Sequence, residues 1–212
     1  MAKPPSSDPP GVTRRGFIRG AGITAAGATL LQSSVATLEA ATQGVLEGRV
    51  LGPGAVAVVL RVNGTTRELE IEPRTTLAEA LRGELGMTGT KVACDRGACS
   101  ACTVWLDGVP VSSCMTLAID VGAREVTTIE GLAKDGALHP VQQAFIDHDA
   151  MQCGFCTPGM VMSCAALLEG NSAPSLDDVK HATRGNLCRC GTYPKVFEAT
   201  LAAARQPRKK EA

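Results

Sequence analysis

The sequence predicts an α+β fold in two parts: two hairpins packed around one helix, then a unit of four helices. Three observations carry that prediction. Short alternating segments are joined by Asn63-Gly64 and again by Asp107-Gly108, and such pairs between apolar runs are strong hairpin signals. From Pro140 onward the pattern becomes helical, with proline, serine and threonine at the expected starts. Between the halves, Gly131–Gly136 mixes glycine with charge and interrupts both patterns.

After the Gly52-Pro53-Gly54 break, Ala55–Val62 reads as a Val-rich strand and Thr65–Ile71 as its hairpin partner. Thr76-Leu77-Ala78-Glu79 is a capping box that opens a helix to about Leu85, with Gly86 placed to stop it. Thr103–Leu106 and Val109–Val111 form the second hairpin, and Glu125–Ile129 supplies a further strand. Helices are expected over Pro140–Ala150, from Thr157-Pro158 to about Glu169, from Ser175 to Gly185, and over Tyr193–Arg205. The predicted domains are therefore 55–131 and 137–205, preceded by a leader over 1–41.

Eight of the nine cysteines fall into two groups of four. Cys94, Cys99, Cys102 and Cys114 read C-x4-C-x2-C-x11-C, while Cys153, Cys156, Cys188 and Cys190 read C-x2-C-x31-C-x-C. The first spacing is the plant-type ferredoxin pattern, in which four thiolates hold a [2Fe–2S] cluster. With the metal loop lying between two hairpins, the first half describes a small β-grasp ferredoxin domain. The second quartet implies a second redox centre. Four thiolates repel one another, so the backbone must wrap closely and aim N–H groups at the sulfurs. The small residues Gly97, Ala98, Ser100 and Ala101, and the glycines at 154, 159, 185 and 191, suit that need.

Zinc also takes four thiolates, but only half of the second group has a common zinc spacing. His139, His148 and His181 form no ligand pair, which disfavours a Rieske centre. Their better reading is as surface or helix-capping residues. Cys164 shares a helical face with Val161, Ala165 and Leu168 and reads as a buried apolar filler.

Lys+Arg and Asp+Glu balance at 21 each, so no basic surplus points to nucleic acid. Thr13-Arg14-Arg15-Gly16-Phe17-Ile18-Arg19 resembles a twin-arginine export signal, followed to Leu38 by an uncharged, weakly apolar stretch. The alternatives are an unstructured leader or an uncleaved anchor. The export reading places the protein in the periplasm, with no stable membrane span after export. Nine cysteines in that oxidising compartment would ordinarily suggest disulfides. The odd number, the closeness of Cys188 to Cys190 and the ligation spacings argue for clusters inserted before export instead.

Three stretches then carry a family resemblance: Lys91–Val104, Gln152–Met160 and Gly185–Cys190. Together they resemble the iron–sulfur subunit of the xanthine-oxidase family of molybdenum hydroxylases, above all the small subunits of periplasmic aldehyde oxidoreductases and isoquinoline oxidoreductases. That resemblance implies a subunit without catalytic residues of its own, carrying two [2Fe–2S] clusters. It implies a large partner that holds molybdopterin, as the cytosine dinucleotide, and oxidises aldehydes or N-heterocycles. Electrons would enter at the 153–190 quartet, with Gln152 and Cys190 against the pterin, and leave from the 94–114 quartet to an FAD subunit or a cytochrome c acceptor. Ser100, where many relatives have glycine, and the order Cys190-Gly191-Thr192, in place of Cys-Thr-Gly, are its departures from the pattern. A stand-alone [2Fe–2S] carrier is the alternative reading.

Overall fold

The structure, a computed structural model, describes residues 51–206. The leader expected over 1–41 and the basic tail after Gln206 lie outside those residues.

Strands β1 (Val56–Val62), β2 (Thr65–Ile71), β3 (Thr103–Leu106), β4 (Val109–Ser112) and β5 (Glu125–Thr127) make one five-stranded sheet in the order β2-β1-β5-β3-β4. Only β1 and β5 run parallel. Both hairpins turn as expected. Asn63 and Gly64 have φ of 52° and 74°, Asp107 and Gly108 of 49° and 80°, so all four central positions are left-handed, as a type I′ turn requires. The inward positions Leu60 and Val62 of β1, Val104 and Leu106 of β3 and Val126 of β5 bury against Leu77 and Leu81.

Those two leucines belong to the helix after β2. Its capping box forms as expected: the Thr76 side chain accepts from the Glu79 N–H, and Glu79 accepts from the Thr76 N–H at 2.8 Å. The expected continuous α-helix to Leu85 does not form. Only α1 (Leu77–Glu79) is α-helical, and Ala80–Glu84 is a π-helical turn closed by Leu85 N–H to Ala80 C=O at 3.1 Å. Gly83 weakens the ordinary helix there. The wider turn lets the Arg82 guanidinium reach the carbonyls of Thr88 and Thr90, on the approach to the first cysteine loop.

Strand β5 ends two residues earlier than expected, at Thr127. The reason lies in Asn63, whose Oδ1 takes the Thr128 N–H at 2.9 Å while its Nδ2 donates to the Thr128 hydroxyl. A side chain has replaced the strand partner. The chain then bends through a 3₁₀ turn at Ile129–Gly131.

The second half holds α2 (Pro140–Asp147), α3 (Thr157–Gly170), α4 (Leu176–Thr183) and α5 (Tyr193–Ala204). His139 caps α2, its Nδ1 accepting from the Val141 N–H, which is the capping role foreseen for a histidine. Helix α2 stops short of Ala150 because Asp149 turns left-handed at φ 51°. The Ala150 N–H then bonds Phe145 C=O and the Asp149 N–H bonds Ile146 C=O, closing a Schellman end. The cap of α3 is Cys156 rather than the expected Thr157, and Pro158 takes the second helical position. Ser175 caps α4 as expected, in a reciprocal box with Asp178. That helix ends at Thr183, before Gly185, and α5 ends at Ala204 with Arg205 as its cap.

The halves meet across β3, all four of whose residues are buried. One face completes the ferredoxin core. The other turns Trp105 into the helical core with Phe145, Met160 and Leu168, and its indole N–H donates to the Met162 C=O at 3.0 Å. A strand covered on both faces loses the alternation of a half-exposed one, which explains the run Thr-Val-Trp-Leu. Trp105→Ala is expected to lower stability by about 3–5 kcal/mol, read as a reduced denaturant midpoint with both halves unfolding together.

Candidate metal centres

The first cysteine loop runs from Cys94 to Cys102 between the π-turn and β3. Asp95, Gly97 and Ser100 stand at φ of 52°, 70° and 52°. Left-handed residues spaced this closely turn successive N–H groups to one side, forming an anion-binding nest. The N–H groups of Arg96 and Ala98 reach Cys94 Sγ at 3.5 and 3.3 Å, and that of Gly97 reaches the Cys114 sulfur. Cys114 is delivered by the turn after β4, where the Ser113 hydroxyl and N–H both bond the Cys102 C=O. Gly97 also leaves room for Met115, whose Cγ would stand 3.0 Å from a Cβ at that position.

The second site gathers two loops. Cys153 and Cys156 lie just before α3; Cys188 and Cys190 lie between α4 and α5. Gly154 and Gly191 are left-handed, at φ 80° and 79°. The Phe155 N–H points to Cys153. Cys188 receives the N–H groups of Thr192 and Gly191, and its Sγ lies 3.3 Å from the Thr192 hydroxyl. The Tyr193 hydroxyl accepts from the Cys188 N–H at 2.8 Å and donates to the Asn186 C=O at 3.0 Å, pinning this loop to α5.

All nine thiols are free. Among the described residues no three Cys, His, Asp or Glu side chains surround one point as a mononuclear site would require. The thiols contact in pairs instead: Cys94 with Cys99, Cys102 with Cys114, Cys153 with Cys190, and Cys156 with Cys188. Two pairs of soft anionic donors are what a two-iron cluster takes, two thiolates to each iron. The donor sets therefore fit the group that the spacing implied.

Local electrostatics divide the thiols. The Arg96 N–H, followed by the Cys99 thiol, holds Cys94 down to about 7. Burial would raise Cys188, but the Thr192 hydroxyl, N–H donors and the Cys156 thiol hold it down to about 7. The Phe155 N–H lowers Cys153. Burial pushes Cys114 up to about 11 and Cys156 up to about 12. Each quartet thus has a thiol that ionises readily and one that burial keeps protonated. Cys164, fully buried on α3 beside the Thr200 hydroxyl and pushed up to about 12 by burial, belongs to neither group.

The two sites abut. Leu187 N–H donates to Cys99 C=O at 3.0 Å, which joins a residue of the first quartet to the neighbour of Cys188 in the second. The Ser100 C=O accepts from the Thr103 hydroxyl at 2.7 Å and from Asn186 Nδ2 at 3.2 Å. A Cβ at Gly159 would run into that same carbonyl, and one at Gly185 would stand 3.2 Å from Ser100 Oγ. Ser100 therefore sits at the seam in a left-handed conformation. Of the residues singled out from sequence, Gln152 and Cys153 lie at the surface, and Cys190 is half-buried. In the sequence, Asn186 and Leu187 fall in a resembling stretch and Thr192 in a departure from the pattern, but nothing there assigns a contact to them or to Tyr193. A further hint at Thr192 is its place as a cap residue followed by a proline at the second helical position.

Fold and paired thiols define an iron–sulfur protein with two cluster-binding domains. Residues 60–126 match the family described as "2Fe-2S iron-sulfur cluster binding domain", and residues 128–201 match "[2Fe-2S] binding domain". The chain is 46% identical over 151 residues to the nicotine 6-hydroxylase small subunit of Paenarthrobacter nicotinovorans, a match spanning 71% of this chain and 91% of that one. It is 40% identical over 210 residues to the aldehyde oxidoreductase iron-sulfur-binding subunit PaoA of Escherichia coli O157:H7, spanning 91% and 88%. Quinoline 2-oxidoreductase from Pseudomonas putida 86 is similar in structure, with TM-score 0.69 and 41% identity over 71% of this chain and 94% of that one. The chain belongs to the iron–sulfur subunits of the xanthine-oxidase family of molybdenum hydroxylases. It is thus an electron-transfer component of an oxidoreductase complex, as the resemblance implied.

Gly159→Ala is expected to destabilise the protein by about 1–3 kcal/mol through the forced clash with Ser100. Gly170→Ala, at the end of the same helix with open space around it, is expected to be neutral or slightly stabilising. Thermal denaturation of the two variants checks the contrast.

Proposed function

We propose that Cys94, Cys99, Cys102 and Cys114 hold one [2Fe–2S] cluster and Cys153, Cys156, Cys188 and Cys190 the other, as successive stations between a molybdenum partner and an acceptor. Each cluster, when bound, accepts and gives up one electron at a time. The protein holds the stations in series, and the observation that carries the reading is the Leu187 N–H to Cys99 C=O hydrogen bond. It gives the two quartets a short, mostly covalent connection through packed backbone.

The direction follows from what surrounds each site. Beside Cys153 the surface carries Gln152 and the apolar Met151 and Phe155, and beside Cys188 the apolar Leu187, Phe155 and Leu187 being 47% and 56% exposed. Such a rim suits burial against a large subunit. In this reading Gln152 and Cys190 face the pterin, bound as the cytosine dinucleotide. The exposed 95–98 loop and Met115 face the opposite partner, an FAD subunit or a cytochrome c. PaoA is named as a subunit of an aldehyde oxidoreductase and another relative as one of a nicotine hydroxylase, which supports aldehydes or N-heterocycles as the substrate class of the complex. Arg14-Arg15 directs the assembled unit to the periplasm, and no helix among the described residues is long and apolar enough to cross a membrane.

Reduction of the purified protein is expected to give two distinct electron paramagnetic resonance signals and about four iron atoms per chain. Cys102→Ser should remove one signal and Cys156→Ser the other. A colourless protein with stoichiometric zinc would overturn the assignment. Separately, replacing Arg14 and Arg15 together by Lys is expected to leave the protein in the cytoplasmic fraction, which immunoblotting of fractionated cells detects.

A further inference from the structure

Helix α5 opens on Thr192, at φ −73° and ψ 7°. A threonine in that position ordinarily sits in extended backbone and accepts an N–H from the second or third helical residue. Here the backbone is not extended, and the second helical residue is Pro194, which has no N–H to offer. The side chain makes no capping bond. It is 7% exposed, and its hydroxyl lies 3.3 Å from Cys188 Sγ. The Tyr193 hydroxyl, bonded to both Cys188 N–H and Asn186 C=O, fixes the sulfur in place against it. A thiolate bound to iron carries no proton, so only the hydroxyl can donate between these two atoms.

We infer that Thr192 is a positioning residue that raises the reduction potential of the helical-domain centre by donating a hydrogen bond to the Cys188 sulfur. The inference rests on the reading of Cys188 as an iron ligand. Reduction turns one ferric ion ferrous, with one electron taken from the partner's centre or from an added reductant and no proton required. The reduced state is the more negative, so a donor to a ligating sulfur stabilises it more than the oxidised state. Apart from the neighbouring cysteine thiols, the other donors on Cys188 are the backbone N–H groups of Thr192 and Gly191, and those found on Cys94 are likewise backbone groups. Thr192 is thus a hydroxyl donor that substitution removes while the main chain stays unchanged. Placed where electrons would enter, it makes the first station the easier to fill.

The test is a mediated redox titration of the complete, cluster-loaded protein, followed by electron paramagnetic resonance. The helical-domain signal is the one lost in Cys156→Ser. Thr192→Val, which keeps the shape and removes the donor, is expected to lower that centre's midpoint by about tenfold in the reduction equilibrium, ~59 mV for a one-electron couple. The other centre should stay where it is, and Thr192→Ser should restore the original midpoint. An unmoved midpoint, an equal shift of both centres, or a Thr192→Ser protein that behaves like Thr192→Val would overturn the inference. If Thr192→Val does not assemble the centre, Thr192→Ala is read by the same criteria. Absence of the second signal from the unaltered protein would instead overturn the reading of Cys188 as a ligand, and the inference with it.

Discussion

Cysteine sulfurs gathered two by two, in two sets of four, are the constraint around which this molecule is arranged. Their repulsion is met by main-chain N–H groups, and those groups can converge only where the chain turns left-handed. That is why Asp95, Gly97 and Ser100 stand at positive φ in the first cysteine loop, and Gly154 and Gly191 in the two loops of the second site. The dipoles so gathered lower Cys94 and Cys188 against the burial that raises Cys114 and Cys156. Each site thus offers thiols of both kinds, in keeping with the donor sets that a two-iron cluster takes.

The same loops also have to touch. Gly159 and Gly185 bring the helical half against Ser100, and Asn186 and Leu187 convert that proximity into hydrogen bonds to Ser100 C=O and Cys99 C=O. Carbonyls at the seam are tied across it while the N–H groups nearby serve sulfur. One short run of backbone therefore does two jobs, with its two polar groups facing opposite ways. The Trp105 indole secures the arrangement from the far side by bonding the main chain of α3.

Much of this was legible in the chain before any coordinates. The hairpins at Asn63-Gly64 and Asp107-Gly108, the capping boxes at Thr76 and Ser175, both cysteine quartets and the isolation of Cys164 all depend on local chemistry that spacing expresses. What stayed hidden depended on tertiary partners. The π-turn at Ala80–Glu84 serves carbonyls at Thr88 and Thr90; β5 stops because Asn63, far away in sequence, takes its next N–H; α3 starts one residue early because Cys156 belongs to the metal loop. At the seam, the contacts of Ser100 with Asn186 join residues a hydrogen bond apart in space and far apart along the chain. No local pattern encodes that pairing.

Strand β3 leaves the ribosome well before helix α3 is made. Until α3 folds down, the Trp105 face of the sheet is bare, although the ferredoxin half can already close its own core around Val104 and Leu106. A chain that ends between β3 and α3 therefore exposes apolar surface that the folded protein covers. Double burial of a single four-residue strand thus leaves any chain cut between β3 and α3 with an uncovered apolar face, which the folding of α3 removes.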